Sequence, residues 1–476
     1  DAKPAATSGP STRAREGKRG RGRPRANRNA EGRAAAADGS TKSNDTESKQ
    51  PRLAKRKCAL LLGFCGTGYS GMQRQLDLTV KTIEGDLFVA LVKAGAISED
   101  NSDDPSKSDL QRAARTDAGV HAAGNVVSIK VITEVPGVLD IVAHINSFLP
   151  PTIRLWSILR TQNSFSARTS CDSRRYTYTF PSHILLPPRP GTPLHGILVS
   201  KGQTPDHITD HAFWRNAPAA TGDADLELAL KRAWRVDSET LEALKTALNG
   251  YAGTHNFHNF TIQKEFKDRS CMRHMKNLEV SQPSERDGVE WISVLFHGQS
   301  FMLHQRKMIS AAILMARTRT PSSLLNALFT ASKAHIPKAP ALGLLLEHPL
   351  FDTYNGTLAR SNTQLRADSG QAREPIDFGV HRDNMEAFKA EYIYKEIRER
   401  EAEGAVFDNW VKSIDGHTGA DFRYLGAGGV IPPDAVWARG NQAFKEPISR
   451  AKSGHVAEQD SDEEDAQVRN TADMEG

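Results

Sequence analysis

The chain has 476 residues and a mass of 52.2 kDa, with 38% hydrophobic and 25% charged residues, a mean hydropathy of −0.50, a net charge of +5 and a pI of about 8.9. At about 150 residues per domain this length suggests about three domains, and the modest apolar fraction implies that part of the chain is solvated tail. No apolar run approaches the roughly 20 residues of a membrane-spanning helix, and four scattered cysteines, none in a C-x-x-C pair, argue against a disulfide framework or a standard zinc site and for a reducing compartment.

The first segment, 1–56, is expected to be a disordered basic tail: from Asp1 to Lys57 sixteen Lys/Arg stand against six Asp/Glu, without hydrophobic periodicity. Inside it Gly17-Lys18-Arg19-Gly20-Arg21-Gly22-Arg23-Pro24-Arg25 resembles an AT-hook, whose arginines enter the minor groove of A·T-rich DNA. Clustered charge alone serves nuclear targeting or a general nucleic-acid-binding arm, and that plainer reading is preferred, with DNA the least favoured partner. The expected location is the nucleus; an Arg-rich, acid-poor start leaves a cytoplasmic or mitochondrial pool open. A folded body follows over 57–360, with a proline-punctuated insertion at 183–236, then a helix-rich extension over 361–445. The chain ends in an acidic tail, 446–476, whose last twenty residues hold eight acids and one Arg.

Within the body, the apolar run Cys58–Phe64 reads as a buried strand entering a glycine-rich loop (Gly63, Gly66, Gly68, Gly71). Strands are expected at Asn125–Val131, Ile153–Leu159, Tyr176–Phe180 and Trp291–Phe296. Helices are expected at Val80–Ala94, Val138–Phe148, Ser300–Ala316 and Pro321–Leu328, and where Leu241, Leu244, Leu248 and Tyr251 recur behind the capping pair Asp237/Ser238. Strands and helices interleave without strict βαβ alternation, which favours an α+β fold.

The most informative stretch is Arg112-Ala113-Ala114-Arg115-Thr116-Asp117-Ala118-Gly119-Val120-His121. Small residues and Gly119 set a carboxylate on a tight turn just before a buried strand, and an arginine two positions away would hold that carboxylate ionised. Residue types alone favour the plainer reading, a turn with a structural Asp–Arg pair.

The segment also resembles the catalytic loop R-T-D-x-G-V-H/S-A of the TruA family of tRNA pseudouridine synthases. Four more segments agree, in that family's order: Gly63–Gln73; Phe165–Tyr178 with Cys171-Asp172-Ser173-Arg174-Arg175-Tyr176; Gly253-Thr254-His255-Asn256-Phe257-His258-Asn259-Phe260-Thr261; and Gly298–Met308. Together they span about 57–355 and look most like the eukaryotic, fungal, multisite branch. The resemblance implies an α+β pseudouridine synthase fold: two halves sharing a continuous, largely antiparallel mixed sheet flanked by helices, with a basic central cleft. It implies isomerisation of specific uridines in tRNA, with snRNA and mRNA as further candidate substrates, no cofactor and no membrane. It assigns Asp117 as the nucleophile on a flipped uridine, Arg115 to the gap or the flipped nucleotide, Tyr176 to stacking on uracil, and Arg306 to the aspartate. His121 and Lys307 belong to the same substrate-binding set.

One departure stands out. The family pattern H-Q-I-R-K-M is here His304-Gln305-Arg306-Lys307-Met308, one residue short, and within a helix a deletion turns everything beyond it by about 100°. Phe301, Gln305, Met308, Ala312 and Ala316 still share one stripe. Lys307 could replace Arg306 only as a looser point charge. His255, His258 and His304 read as core or substrate-lining residues; nothing predicts a structural zinc, though these histidines leave one open. Two other classes remain: a catalytically impaired RNA-binding protein of the same fold, and a chromatin protein led by residues 17–25.

Overall fold

The computed structural model describes residues 53–77, 79–200, 206–216, 223–365, 371–426 and 428–436. The basic segment at 17–25 and the acidic tail lie outside the described residues.

Ten strands among the described residues run in chain order as β1 (Lys55–Phe64), β2 (Gln111–Arg112), β3 (His121–Ile132), β4 (Ile153–Arg160), β5 (Ser173–Pro181), β6 (Gly253–Asn256), β7 (Met272–Val280), β8 (Ser284–Arg286), β9 (Val289–Gly298) and β10 (Leu344–Leu350). They form one sheet in the order β4-β1-β3-β10-β5-β9-β7-β6, with β2 added to β3 and β8 to β9. Every pairing is antiparallel except β3 with β10, which is parallel through His121–Leu345 and Ala122–Leu346. The mixed α+β sheet flanked by helices is the architecture expected. Strand β10 enters between a first half built on β1, β3 and β4 and a second built on β5, β9 and β7.

Strand β1 is apolar on both faces because both are covered. Leu60 and Leu62 pack with the helix Ile83–Lys93 through Leu87 and Leu91, while Ala59 and Leu61 join a second core. Helices from the 371–426 segment share that second core: Phe388, Ile393, Ile397, Phe407, Trp410 and Ile414 are all buried in it. A turn of π-helix, Lys389–Tyr394, links two of those helices. Its Lys389 is buried between Glu347 (3.0 Å) and Glu386 (2.9 Å), and Glu347 in turn accepts from Thr177 Oγ1 at 2.8 Å beneath β5. The described parts of 183–236 are short helices. They dock on the same segment through the buried Lys231–Asp408 pair at 2.9 Å, beside a two-toothed Arg317–Asp415 pair at 2.6 and 2.9 Å.

The helix Ser238–Asn249 forms where the leucine spacing placed it, with Asp237 accepting from the Thr240 amide at 2.6 Å. Four helices are shorter than expected: Val80–Ala94 is Ile83–Lys93, Pro321–Leu328 is Ser323–Leu328, and two others have a visible cause. Val138–Phe148 reduces to Ile141–Asn146, because Asp140 takes the cap and accepts from the Val142 and Ala143 amides. Ser300–Ala316 reduces to Lys307–Arg317, because the chain turns through His304 at φ 57° and Gln305 Oε1 accepts from the Met302 amide at 2.6 Å. The one-residue shortening, between Gln305 and Arg306, therefore falls in a turn ahead of the helix. No described helix is long and apolar enough to cross a membrane.

Candidate active site

Asp117 lies on the turn between β2 and β3, and the backbone on both sides of it is tied down. The Ala113 amide donates to Val126 O at 2.8 Å. Ala114 is held through both its amide and its carbonyl by the fully buried Asn125, at 3.2 and 3.0 Å. Thr116 O accepts from the Met72 amide at 3.1 Å, Gly119 donates to Tyr69 O at 3.2 Å, and the Val120 amide closes the turn onto Asp117 O at 3.2 Å. Gly119 takes φ 74°, which an L side chain would resist.

The glycine-rich loop after β1 is the other wall of this arrangement. A Cβ on Gly66 would stand 2.0 Å from Val120 O, and one on Gly71 would stand 2.9 Å from Thr116 O. Both glycines are therefore required by close backbone approach to the aspartate turn. Behind it, Arg112 pairs with the buried Glu84 at 2.5 Å; burial pushes that carboxyl up, and Arg112 and Arg115 pull it back.

From β5, the half-buried Tyr176 faces the turn. Burial pushes its phenol up to about 12; Arg174 opposes the rise and the charge of Asp117 adds to it, so the aspartate lies within electrostatic reach of the ring. The ring packs edge-on against Phe301, with centroids 4.9 Å apart at 74°. Arg174, on the same strand, donates through Nε and Nη2 to Ala113 O (3.0 and 2.6 Å) and through Nη1 to Gln299 O at 3.3 Å. A carboxylate, an aromatic face and surrounding guanidinium groups thus meet where the two halves of the sheet join, an arrangement suited to holding a flat base beside a nucleophile.

A family model described as tRNA pseudouridine synthase matches residues 247–352. Proteins named tRNA pseudouridine synthase 1 from Candida albicans and Yarrowia lipolytica are 41% and 42% identical, over 78% and 79% of this chain and 68% and 77% of their own. The tRNA pseudouridine(27/28) synthase of Saccharomyces cerevisiae is 37% identical over 75% of this chain and 98% of its own length. The chain belongs to the tRNA pseudouridine synthase family, the TruA family.

Against that family identity, the site residues named from sequence fall into two groups. Asp117 lies within electrostatic reach of Tyr176, and Arg115 is exposed on the Asp117 turn, where its charge reaches Glu84. Arg306 precedes the helix Lys307–Arg317, with its Nε and Nη1 buried and without a hydrogen-bond partner, so it has donor capacity left over. Lys307 is buried as the first residue of that helix, and its charge adds to burial in holding the His304 and His335 imidazoles neutral.

His121, expected in the substrate-binding set, lies beneath the glycine loop. It is fully buried at the start of β3, its Nδ1 accepts from the Gly66 amide at 3.1 Å, and burial lowers its pKa to about 4. The neutral ring, with no exposed surface, fastens the glycine loop.

The histidine-rich motif of this synthase is a packing hub. His255 stacks on Phe329 at 4.2 Å, Asn259 fastens Leu328 O and Ser332 O, and Thr261 donates to Leu303 O at 2.9 Å, bracing the turn that carries Arg306. No group of three or more His, Cys, Asp or Glu able to hold a metal occurs among the described residues. Sequence reasoning missed Asn125 and Arg174 acting as a clamp. Arg174 bonds to carbonyls 61 and 125 residues away, and Asn125 to a turn that only the folded chain brings against β3, so neither leaves a mark on residue spacing.

Proposed function

We propose that this chain isomerises uridine to pseudouridine in tRNA, with Asp117 as the nucleophile. The N1–C1′ bond breaks, the uracil turns over, and C5 bonds to C1′; the C5 hydrogen leaves as a proton to solvent and N1 takes one up. Atoms are conserved, no electrons are gained or lost and no group is donated, so the reaction calls on no cofactor. The observation that carries the reading is the placing of Asp117 on a turn whose backbone is fixed from both sides, within electrostatic reach of Tyr176.

A uridine inside a stem must leave its stack to reach Asp117, at a cost of a few kcal/mol. Stacking on Tyr176, worth about 1–3 kcal/mol, offsets much of that cost. Arg115, exposed on the turn, is placed to fill the gap or touch the flipped nucleotide. The spare donors of Arg306 suit an RNA phosphate or the Asp117 carboxylate. His121 acts through the glycine loop.

Tritium release from tRNA labelled at uridine C5 tests this directly. Release by wild type that disappears in Asp117→Ala supports the nucleophile; equal release by both would overturn it, and silence from wild type on a panel of tRNAs would favour the impaired RNA-binding alternative. The same assay on snRNA and mRNA transcripts decides the wider substrate range. A nuclear address rests on the basic run at 17–25 and is read by imaging a chain lacking it.

A further inference from the structure

We infer that Arg174 is a positioning residue, a strut that sets the nucleophile's turn against the second half of the sheet. This inference rests on the pseudouridine synthase reading. Its guanidinium grips one carbonyl from each half of the molecule. Nε and Nη2 converge on Ala113 O, four residues before Asp117, and Nη1 reaches Gln299 O, in the segment that goes on to Phe301 and Arg306.

Both gripped residues are themselves anchored. The Ala113 amide is bonded to Val126 O in β3, and the Gln299 amide donates to His274 O in β7. Arg174 thus connects two rigid pieces whose separation fixes how far Asp117 stands from the Tyr176–Phe301 pair. Tyr176 sits two residues along β5 from Arg174 and on the same face, so clamp and stacking ring share one rigid strand. In the parallel register between β3 and β10 only two residue pairs join the halves near the turn. A side-chain strut there adds what the short ladder lacks.

Lysine is an informative substitution because it keeps the charge. A single ammonium on a flexible stem cannot hold Ala113 O with two converging donors and reach Gln299 O as well. In Arg174→Lys, kcat for tritium release is expected to fall about 10–100-fold, the scale of a small misplacement of a reacting group, while KM for tRNA moves less than about twofold. Amide hydrogen exchange of residues 113–120 is expected to speed up about tenfold relative to β1 in the same protein, reporting local release of the turn. Arg174→Gln, able to reach one carbonyl, gives a second reading should the lysine variant fail to fold.

Unchanged kcat and unchanged exchange in the folded variants would overturn the strut. A loss confined to KM, with exchange unaltered, would also overturn it by making Arg174 an RNA contact. If wild type releases no tritium from any tRNA, the synthase reading fails, and the exchange comparison still decides whether Arg174 holds the turn.

Discussion

Asn125 grips Ala114 from both sides, accepting from its amide at 3.2 Å and donating to its carbonyl at 3.0 Å, three residues before Asp117. The same Oδ1 also accepts from the Val126 amide at 2.9 Å, so one fully buried side chain satisfies three backbone groups. Asn125→Ala leaves those groups without partners, each at about 1–3 kcal/mol, and is expected to destabilise the fold by at least about 2 kcal/mol. Urea unfolding reads the loss. A variant as stable as wild type would show that the bracket contributes nothing.

Tyr176 offers a way to separate the ring from its hydroxyl. With its phenol pushed up to about 12, it carries no charge at working pH, and the proposed stacking uses its face. Tyr176→Phe keeps that face and the contact with Phe301, and tritium release is expected to stay within about fivefold of wild type. Tyr176→Ala removes stacking worth about 1–3 kcal/mol and should lower kcat/KM by about 5–150-fold. Equal damage by both substitutions would move the role to the hydroxyl.

Gly66 and Gly68 make a matched pair. A Cβ on Gly66 collides with Val120 O at 2.0 Å, whereas one on Gly68 meets nothing within 4 Å and suffers only from φ 79°. Gly66→Ala is expected to cost about 3 kcal/mol or more and to abolish turnover by pushing the aspartate turn out of place. Gly68→Ala should cost about 1–2 kcal/mol and spare activity. Thermal melts with tritium release distinguish them, and a reversed order would refute the close approach.

Stability should fall in mild acid. His121 and His183 are buried neutral, held by burial at pKa values of about 4 and 3, against about 6.5 in the unfolded chain. Below pH 6.5 the unfolded chain binds protons that these folded rings refuse, so each contributes a loss of about 1.4 kcal/mol per pH unit down to its folded pKa. Urea midpoints at pH 7, 6 and 5 should fall progressively. His183→Phe should flatten the decline, and a flat wild-type profile would refute the assignment.

What could be read from the chain beforehand follows the range of the interactions. The aspartate turn was legible because Gly119 and its small neighbours encode it locally, and the helix Ser238–Asn249 because leucine spacing and an adjacent cap are local too. The start of the helix at Lys307 was not: Phe301 and Gln305 continue the apolar stripe, yet the chain there winds through a left-handed His304. Arg174 escaped notice because a side chain that bonds to carbonyls 61 and 125 residues away leaves no periodic trace, and Asn125 because a bracket on a turn's backbone follows no periodicity. His121 was legible as part of a motif, but its burial beneath the Gly66 loop depends on which strand becomes its neighbour.

That neighbour arrives late. His121 pairs with Leu345, more than two hundred residues downstream, and at about 5–20 residues per second a ribosome needs roughly 10–45 s to cover the interval. Throughout it, the newborn β1–β3–β4 half presents a β3 edge that β2 covers at only two residues, the kind of exposed edge that invites pairing with another chain. The parallel slot beside Asp117 is therefore also a timer. The centre is completed only once β10 has been made, and a nascent chain interrupted before it carries the aspartate without the strand that completes its surroundings.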